Sequence, residues 1–138
     1  MKFALFTKLD SNENNDHIFS VFKSLDKHQL DYDVDSQSFD LISKLDNYNG
    51  DFNFSKVEKL SNEYDFVISI GGDGTILRSA NEIGELSIPI IGLNKGRLGF
   101  LANSPIEIID SIIEKIKNSN YRISERTIIQ VEFAVSYT

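Results

Sequence analysis

Cysteine is absent from the 138 residues, which excludes a disulfide framework, a thiolate metal site and a thiol nucleophile. Histidine is almost absent as well. His17 and His28 have no partner at metal-ligand spacing, and both read as solvated surface residues, so no metal site is expected. No apolar run approaches the length of a membrane span. The opening Met1-Lys2-Phe3-Ala4-Leu5-Phe6 meets Lys8 and Asp10 too soon for a signal peptide, and the expectation is a cytoplasmic protein without a membrane partner. Positive charge is the minority sign: 14 Lys and Arg against 21 Asp and Glu leave a net charge of −7. That balance argues against wholesale binding to nucleic acid, although a local basic patch could still hold phosphate. The remaining composition, 41% hydrophobic and 25% charged, is that of an ordinary soluble globular domain long enough to bury a core.

Glycine is scarce and unevenly spread, with seven of the eight lying between Gly71 and Gly99. The first concentration follows an apolar, β-branched run: Ile68-Ser69-Ile70-Gly71-Gly72-Asp73-Gly74-Thr75-Ile76-Leu77-Arg78 reads as strand, glycine turn, helix. The helix is expected over 76–83, closed by Gly84. Glycines there admit positive φ and bring backbone N–H groups close to a ligand, and the helix start adds the positive end of its dipole. Asp73 is out of place in a simple anion cradle, which points to chemistry instead. A strand over 87–93 leads to the second irregular stretch, Asn94-Lys95-Gly96-Arg97-Leu98-Gly99-Phe100-Leu101. Two loops at neighbouring strand C-termini make a crevice, where doubly wound α/β proteins bind ligands.

Elsewhere the chain opens with an apolar strand over 2–7 and a polar loop over 11–16, with Asp16 as N-cap of a helix reaching His28 on Phe19, Val21, Phe22 and Leu25. Residues 30–35 suggest an edge-like strand. Residues 36–64 are expected to be variable and mobile, with a short helix on Phe39, Leu41, Ile42 and Leu45, a turn over 47–51, another partial helix over 57–60, and a solvated acidic face. Residues 65–70 make the central strand. Ser104 is expected to cap a further helix, with Pro105 first, Glu107 third, and Ile108, Ile109, Ile112, Ile113 and Ile116 as its buried stripe. After Asn120 the pattern changes: Ile129, Val131, Phe133 and Val135 alternate with Gln130, Glu132 and Ala134, as in a strand with one wet face. The expected architecture is a doubly wound, mostly parallel α/β domain over 1–120, with residues 121–138 beginning a second, all-β domain. On this reading the chain is a fragment, and its exposed apolar edge favours self-association into a homo-oligomer.

The two glycine stretches, Gly71-Gly72-Asp73-Gly74-Thr75-Ile76-Leu77-Arg78 and then Pro89-Ile90-Ile91-Gly92-Leu93-Asn94-Lys95-Gly96-Arg97-Leu98-Gly99-Phe100-Leu101, resemble the NAD kinase family in order and spacing. The first alone is shared with diacylglycerol kinase, sphingosine kinase and phosphofructokinase relatives. Ser124-Glu125-Arg126 also resembles the family's entry to its C-terminal domain. Lys95 departs from the Thr of many members, and the chain stops before the Asn-Glu motif of the second domain.

The resemblance implies a Rossmann-like fold and transfer of a phosphoryl group from ATP, or from polyphosphate, to the adenosine ribose 2′-hydroxyl of NAD, with Mg2+ or another divalent cation accompanying the donor. Its small-molecule partners would be NAD and ATP. It assigns Asp73 as base, Gly72 and Gly74 to close approach of the dinucleotide, Thr75 as helix cap, and Arg78 and Arg97 to phosphate. Asn94, Phe100 and Leu101 complete the implied cofactor-binding set, with Phe100 and Leu101 at a base. A ribose hydroxyl needs a proton acceptor, and phosphoryl transfer otherwise rests on positioning and charge stabilisation, so a carboxylate on a phosphate loop fits. The helix dipole would favour its ionised form by about 0.3–1 kcal/mol. Plainer readings stand beside these: a tight turn for the glycines, a core position for Phe100, and an ion pair with Glu82 for Arg78. The alternatives in function are a lipid kinase of the diacylglycerol kinase type, disfavoured by Leu98-Gly99-Phe100-Leu101, and a non-catalytic nucleotide-binding module.

Overall fold

The computed structural model describes residues 1–9, 15–45, 48–95, 99, 101, 102 and 104–127. Its centre is a six-stranded, all-parallel sheet built from β1 (Lys2–Thr7), β2 (Asp31–Asp35), β3 (Lys56–Val57), β4 (Phe66–Ile70), β5 (Ile90–Asn94) and β6 (Ser104–Pro105), in the order β3-β2-β1-β4-β5-β6. The chain leaves β1 outward to β2 and β3, then returns to the other side of β1 with β4, so the topological switch point lies between β1 and β4.

β4 is buried throughout and β1 from Phe3 onward, because each side of the sheet meets a hydrophobic layer. Phe3, Leu5, Phe66, Ile68 and Ile70 share a core with α1 (Asp16–Lys27) and α4 (Ile109–Lys117), whereas Ala4, Phe6 and Val67 share one with Ile83 of α3 (Asp73–Ile83) and with Ile88. Alternate residues of one strand thus serve opposite layers. Each fully buried Leu, Ile or Phe of these layers contributes about 1.5–3 kcal/mol.

Several local expectations change. Asp16 is the first helical residue of α1, and Asn15 takes the N-cap position without a side-chain cap bond. The segment between β2 and β4 is held by aromatic packing: Phe19 stacks on Tyr48 and Phe52 at 6.1 and 5.8 Å, and Phe54 lies 5.1 Å from Phe22. The short helix there is α2 (Ser36–Ile42). No helix forms over 57–60: Val57 joins Lys56 in β3, pairing with Val34 and Asp35, which makes β2 an interior strand. Ser104 caps nothing. With Pro105 it pairs with Leu93 and Asn94 as β6, in keeping with the extended bias of a residue before proline, and a 3-10 turn over Ile106–Ile108 then leads into α4. Ile106 is buried, while Ile108, expected in the stripe, is exposed. Gly84 closes α3 at φ 57° as expected, but α3 begins at Asp73 rather than Ile76. The expected strand over 128–135 lies outside the described residues.

Candidate active site

The strand-to-helix turn is dictated by close contacts. Gly71 has φ 153° and donates its N–H to Leu93 O at 2.9 Å, and a Cβ there would stand 2.6 Å from Thr75 Oγ1. Gly72 is the N-cap of α3, and its carbonyl accepts Thr75 N and Ile76 N at 3.2 and 3.3 Å. Thr75 is therefore not the cap: it is buried inside the first turn, its hydroxyl against Gly71. A Cβ at Gly72 or Gly74 would meet no atom of the described residues within 4 Å, so packing of those residues does not require glycine at either position.

Asp73, first in α3, ties the two glycine loops together. Its Oδ1 accepts the N–H groups of Leu101 at 2.9 Å and Ala102 at 3.1 Å. Gly99 must be glycine for this, because a Cβ would fall 2.3 Å from the same oxygen. Ala102 O in turn accepts Gly99 N and the side-chain amide of buried Asn94, both at 3.1 Å. Gly92 lets α3 sit down on β5, since a Cβ there would be 2.6 Å from Ile76 Cδ1. Gly72, Asp73, Gly74, Thr75, Asn94 and Leu101 therefore gather at the C-terminal ends of β4 and β5, beside the switch point. Arg97 and Phe100, the other expected site residues, lie outside the described residues.

Arg78 neither turns back to the glycine loop nor pairs with Glu82. Its Nη1 donates to Asp35 Oδ1 at 3.1 Å, its Nη2 to Thr7 O at 2.9 Å and Asp35 Oδ2 at 3.5 Å, and the guanidinium lies 5.2 Å from the Phe6 ring centroid. Asp35 was not legible as a partner: the only signal is the Asp35-Ser36-Gln37-Ser38 pattern of a helix cap, and it does cap α2 through Gln37 N and Ser38 N.

His28 is not solvated. Its side chain is 11% exposed and meets Asp110 at 3.1 Å, joining α1 to α4 together with Ser24 and Lys27. Hydrogen bonding from Ser24 is the largest effect and holds the Asp110 carboxyl below its ordinary value; burial opposes it, and the His28 hydrogen bond and the Lys27 charge add smaller lowering effects. Among the described residues no three His, Asp or Glu side chains come together to hold a metal ion.

Comparison with known proteins bears on the family and the fold. The family model of the ATP-NAD kinase N-terminal domain covers residues 12–121. The chain is 37% identical over 134 residues to an NAD kinase of Bacteroides fragilis, covering 95% of this chain and 45% of that protein. An NAD kinase of Christiangramia forsetii is 33% identical over 133 residues, covering 96% and 45% respectively. This chain thus spans about half the length of the curated relatives it matches. A crystal structure of yeast NADH kinase complexed with NADH shares the fold, with a TM-score of 0.66 at 18% identity over 86% of this chain and 38% of that one. With a family model matching residues 12–121, most of its length, the chain belongs to the NAD kinase family.

Proposed function

We propose that this chain carries the phosphoryl-transfer half of an NAD kinase, with Asp73 as the base that accepts the proton of the adenosine ribose 2′-hydroxyl of NAD. The hydroxyl oxygen bonds to the terminal phosphorus of ATP or polyphosphate, the bond from that phosphorus to its bridging oxygen breaks, and the shortened donor leaves with the electron pair. The observation that carries this reading is the position of Asp73: first in α3, just past a central strand, with Oδ1 committed to Leu101 and Ala102. In this reading the amides of Leu101 and Ala102 hold the Asp73 carboxylate in place beside the hydroxyl it deprotonates. A Cβ on Gly72 or Gly74 would meet no described atom within 4 Å, which leaves room for phosphate to approach the start of α3. Asn94 supports the loop, Leu101 and Phe100 contact a base, and Arg97 adds charge for phosphate.

A divalent cation would come to the site held mainly by the donor's own phosphates, since among the described residues no three His, Asp or Glu side chains gather to hold one. When bound it neutralises charge on the transferring group. Residues 1–120 form the catalytic domain, 121–138 lead into a β-rich domain that completes the dinucleotide site, and the enzyme is a cytoplasmic homo-oligomer. The 138 residues alone therefore turn over little NAD, since orienting the hydroxyl needs both halves. The test incubates the intact protein with NAD, Mg2+ and either ATP or polyphosphate and measures NADP. Steady NADP formation with one donor is expected; none with either donor refutes the reading.

A further inference from the structure

We infer that Asp35 is a positioning residue for Asp73, acting through Arg78; this rests on the reading of Asp73 as the base. Asp35 ends β2 and is 5% exposed, yet it carries a carboxylate. Its carboxylate accepts from the Arg78 fork, the Gln37 and Ser38 N–H groups and the Ser38 hydroxyl. Ser38 Oγ also accepts Thr7 N at 3.3 Å, so the end of β1 is bound into the same cluster. Thr7 O receives the second nitrogen of Arg78. One guanidinium therefore joins α3 to the C-terminal ends of β1 and β2, the two strands on one side of β4.

Arg78 lies on the same helix as Asp73, five residues further along. The helix is thus held at its first residue by the 101–102 amides and in its second turn by Asp35 and Thr7. A planar fork fixes rotation about the helix axis as well as position, which a point charge would not. Rotation of α3 sets the direction of the Asp73 carboxylate, and a displacement of about 1 Å at a reacting group can cost about 10²-fold in rate. Asp35 touches no reacting atom; its contribution is the aim of α3.

Asp33 supplies the control. It is on the same strand, its side chain is 14% exposed, and it too is held by a cation and a hydroxyl, Lys2 at 3.2 Å and Tyr64 at 2.8 Å. Those partners stand at the other end of the sheet, before β4 and at the start of β1.

In the intact protein, kcat and KM for NAD are measured for the parent, Asp35→Asn, Arg78→Gln, the double variant and Asp33→Asn. Asp35→Asn keeps an oxygen to cap α2, and it is expected to lower kcat about 10-fold or more while KM stays within about twofold. Asp33→Asn leaves kcat within about twofold, and the double variant is no slower than the slower single, because the pair acts as a unit. A parental kcat in Asp35→Asn, a loss confined to KM, an equal kcat loss in Asp33→Asn, or multiplying losses in the double variant would each overturn the inference. A parent that forms no NADP sinks the base assignment instead. Amide hydrogen exchange over 76–79 then decides the clamp: faster exchange in Asp35→Asn but not in Asp33→Asn supports it, and no difference refutes it.

Discussion

Replacing Asp73 by Asn keeps an oxygen where Oδ1 accepts the Leu101 and Ala102 amides, whereas replacing it by Ala leaves both N–H groups without that acceptor. The two variants separate chemistry from loop anchoring. Asp73→Asn is expected to lower kcat by about 10²–10⁴ with NAD affinity little changed. Asp73→Ala adds a stability loss of about 1–3 kcal/mol and weaker NAD binding, because the 99–102 loop loses its tie. Urea melts and calorimetric titration with NAD check the difference; equal stability of the two would mean that the loop does not depend on Asp73. Gly74 offers the converse. It is helical and a Cβ there meets nothing among the described residues, so Gly74→Ala should leave stability unchanged or raise it by up to about 1 kcal/mol. If phosphate approaches this backbone, the same change lowers kcat/KM, and an unimpaired Gly74→Ala enzyme would show that the donor lies elsewhere. Asp73 and its glycines were legible because turn chemistry is local: strand, turn and helix are contiguous. The partner of Arg78 was not, since Asp35 precedes it by 43 residues and only the sheet order brings them together. Charge spacing along one helix suggested Glu82, but a part-buried guanidinium gains more from a buried carboxylate, a carbonyl and an aromatic face.

At the scale of elements, α4 shows how far periodicity reads. The spacing of isoleucines located the helix and most of its buried face, but its start depended on whether residues 104 and 105 joined the helix or the sheet. The open edge of β5 took them. The same competition turned 56–57 into β3, where an open strand edge outweighed a weak helical pattern. Packing of α4 on α1 is reinforced by Asp110, which receives Ser24, His28 and Lys27 from the last turns of α1. Because the folded protein holds this carboxyl below its ordinary value, ionised Asp110 contributes stability above the unfolded-state value, and that contribution is lost as pH falls through the folded one. Asp110→Asn should therefore melt below the parent at neutral pH, and the gap should close on acidification past the ordinary carboxylate range. Thermal melts across that range test it; a gap that persists unchanged in acid would assign the effect to packing rather than charge.

Over the whole molecule, the parallel sheet divides its labour by end. The C-terminal ends of the strands carry Asp73, Asn94, Asp35 and Arg78, and the opposite end carries a tie of Lys2, Asp33, Glu63 and Tyr64 that holds β1, β2 and the entry to β4 together. The hydrogen bond to Asp33 raises the Lys2 ammonium above its ordinary value, while burial followed by the Asp33 bond pushes the Tyr64 phenol well above the usual range. Burial does the same to Tyr32, reinforced by the nearby Asp26 charge. All three groups favour the protonated state in the fold, so their contribution is intact below the unfolded values of 10.5 for lysine and 10.0 for tyrosine and declines as pH rises through the folded ones. Stability should therefore fall between about pH 10 and the global alkaline transition, where the unfolded chain gives up protons that the folded chain keeps. Tyr64→Phe removes the phenol proton and the bond to Asp33 together. It should cost about 0.5–1.5 kcal/mol at neutral pH and make the alkaline decline shallower than in the parent. Urea melts at neutral pH and at two alkaline values measure both effects, and an unchanged alkaline slope would mean that Tyr64 ionises as freely in the fold as in the unfolded chain.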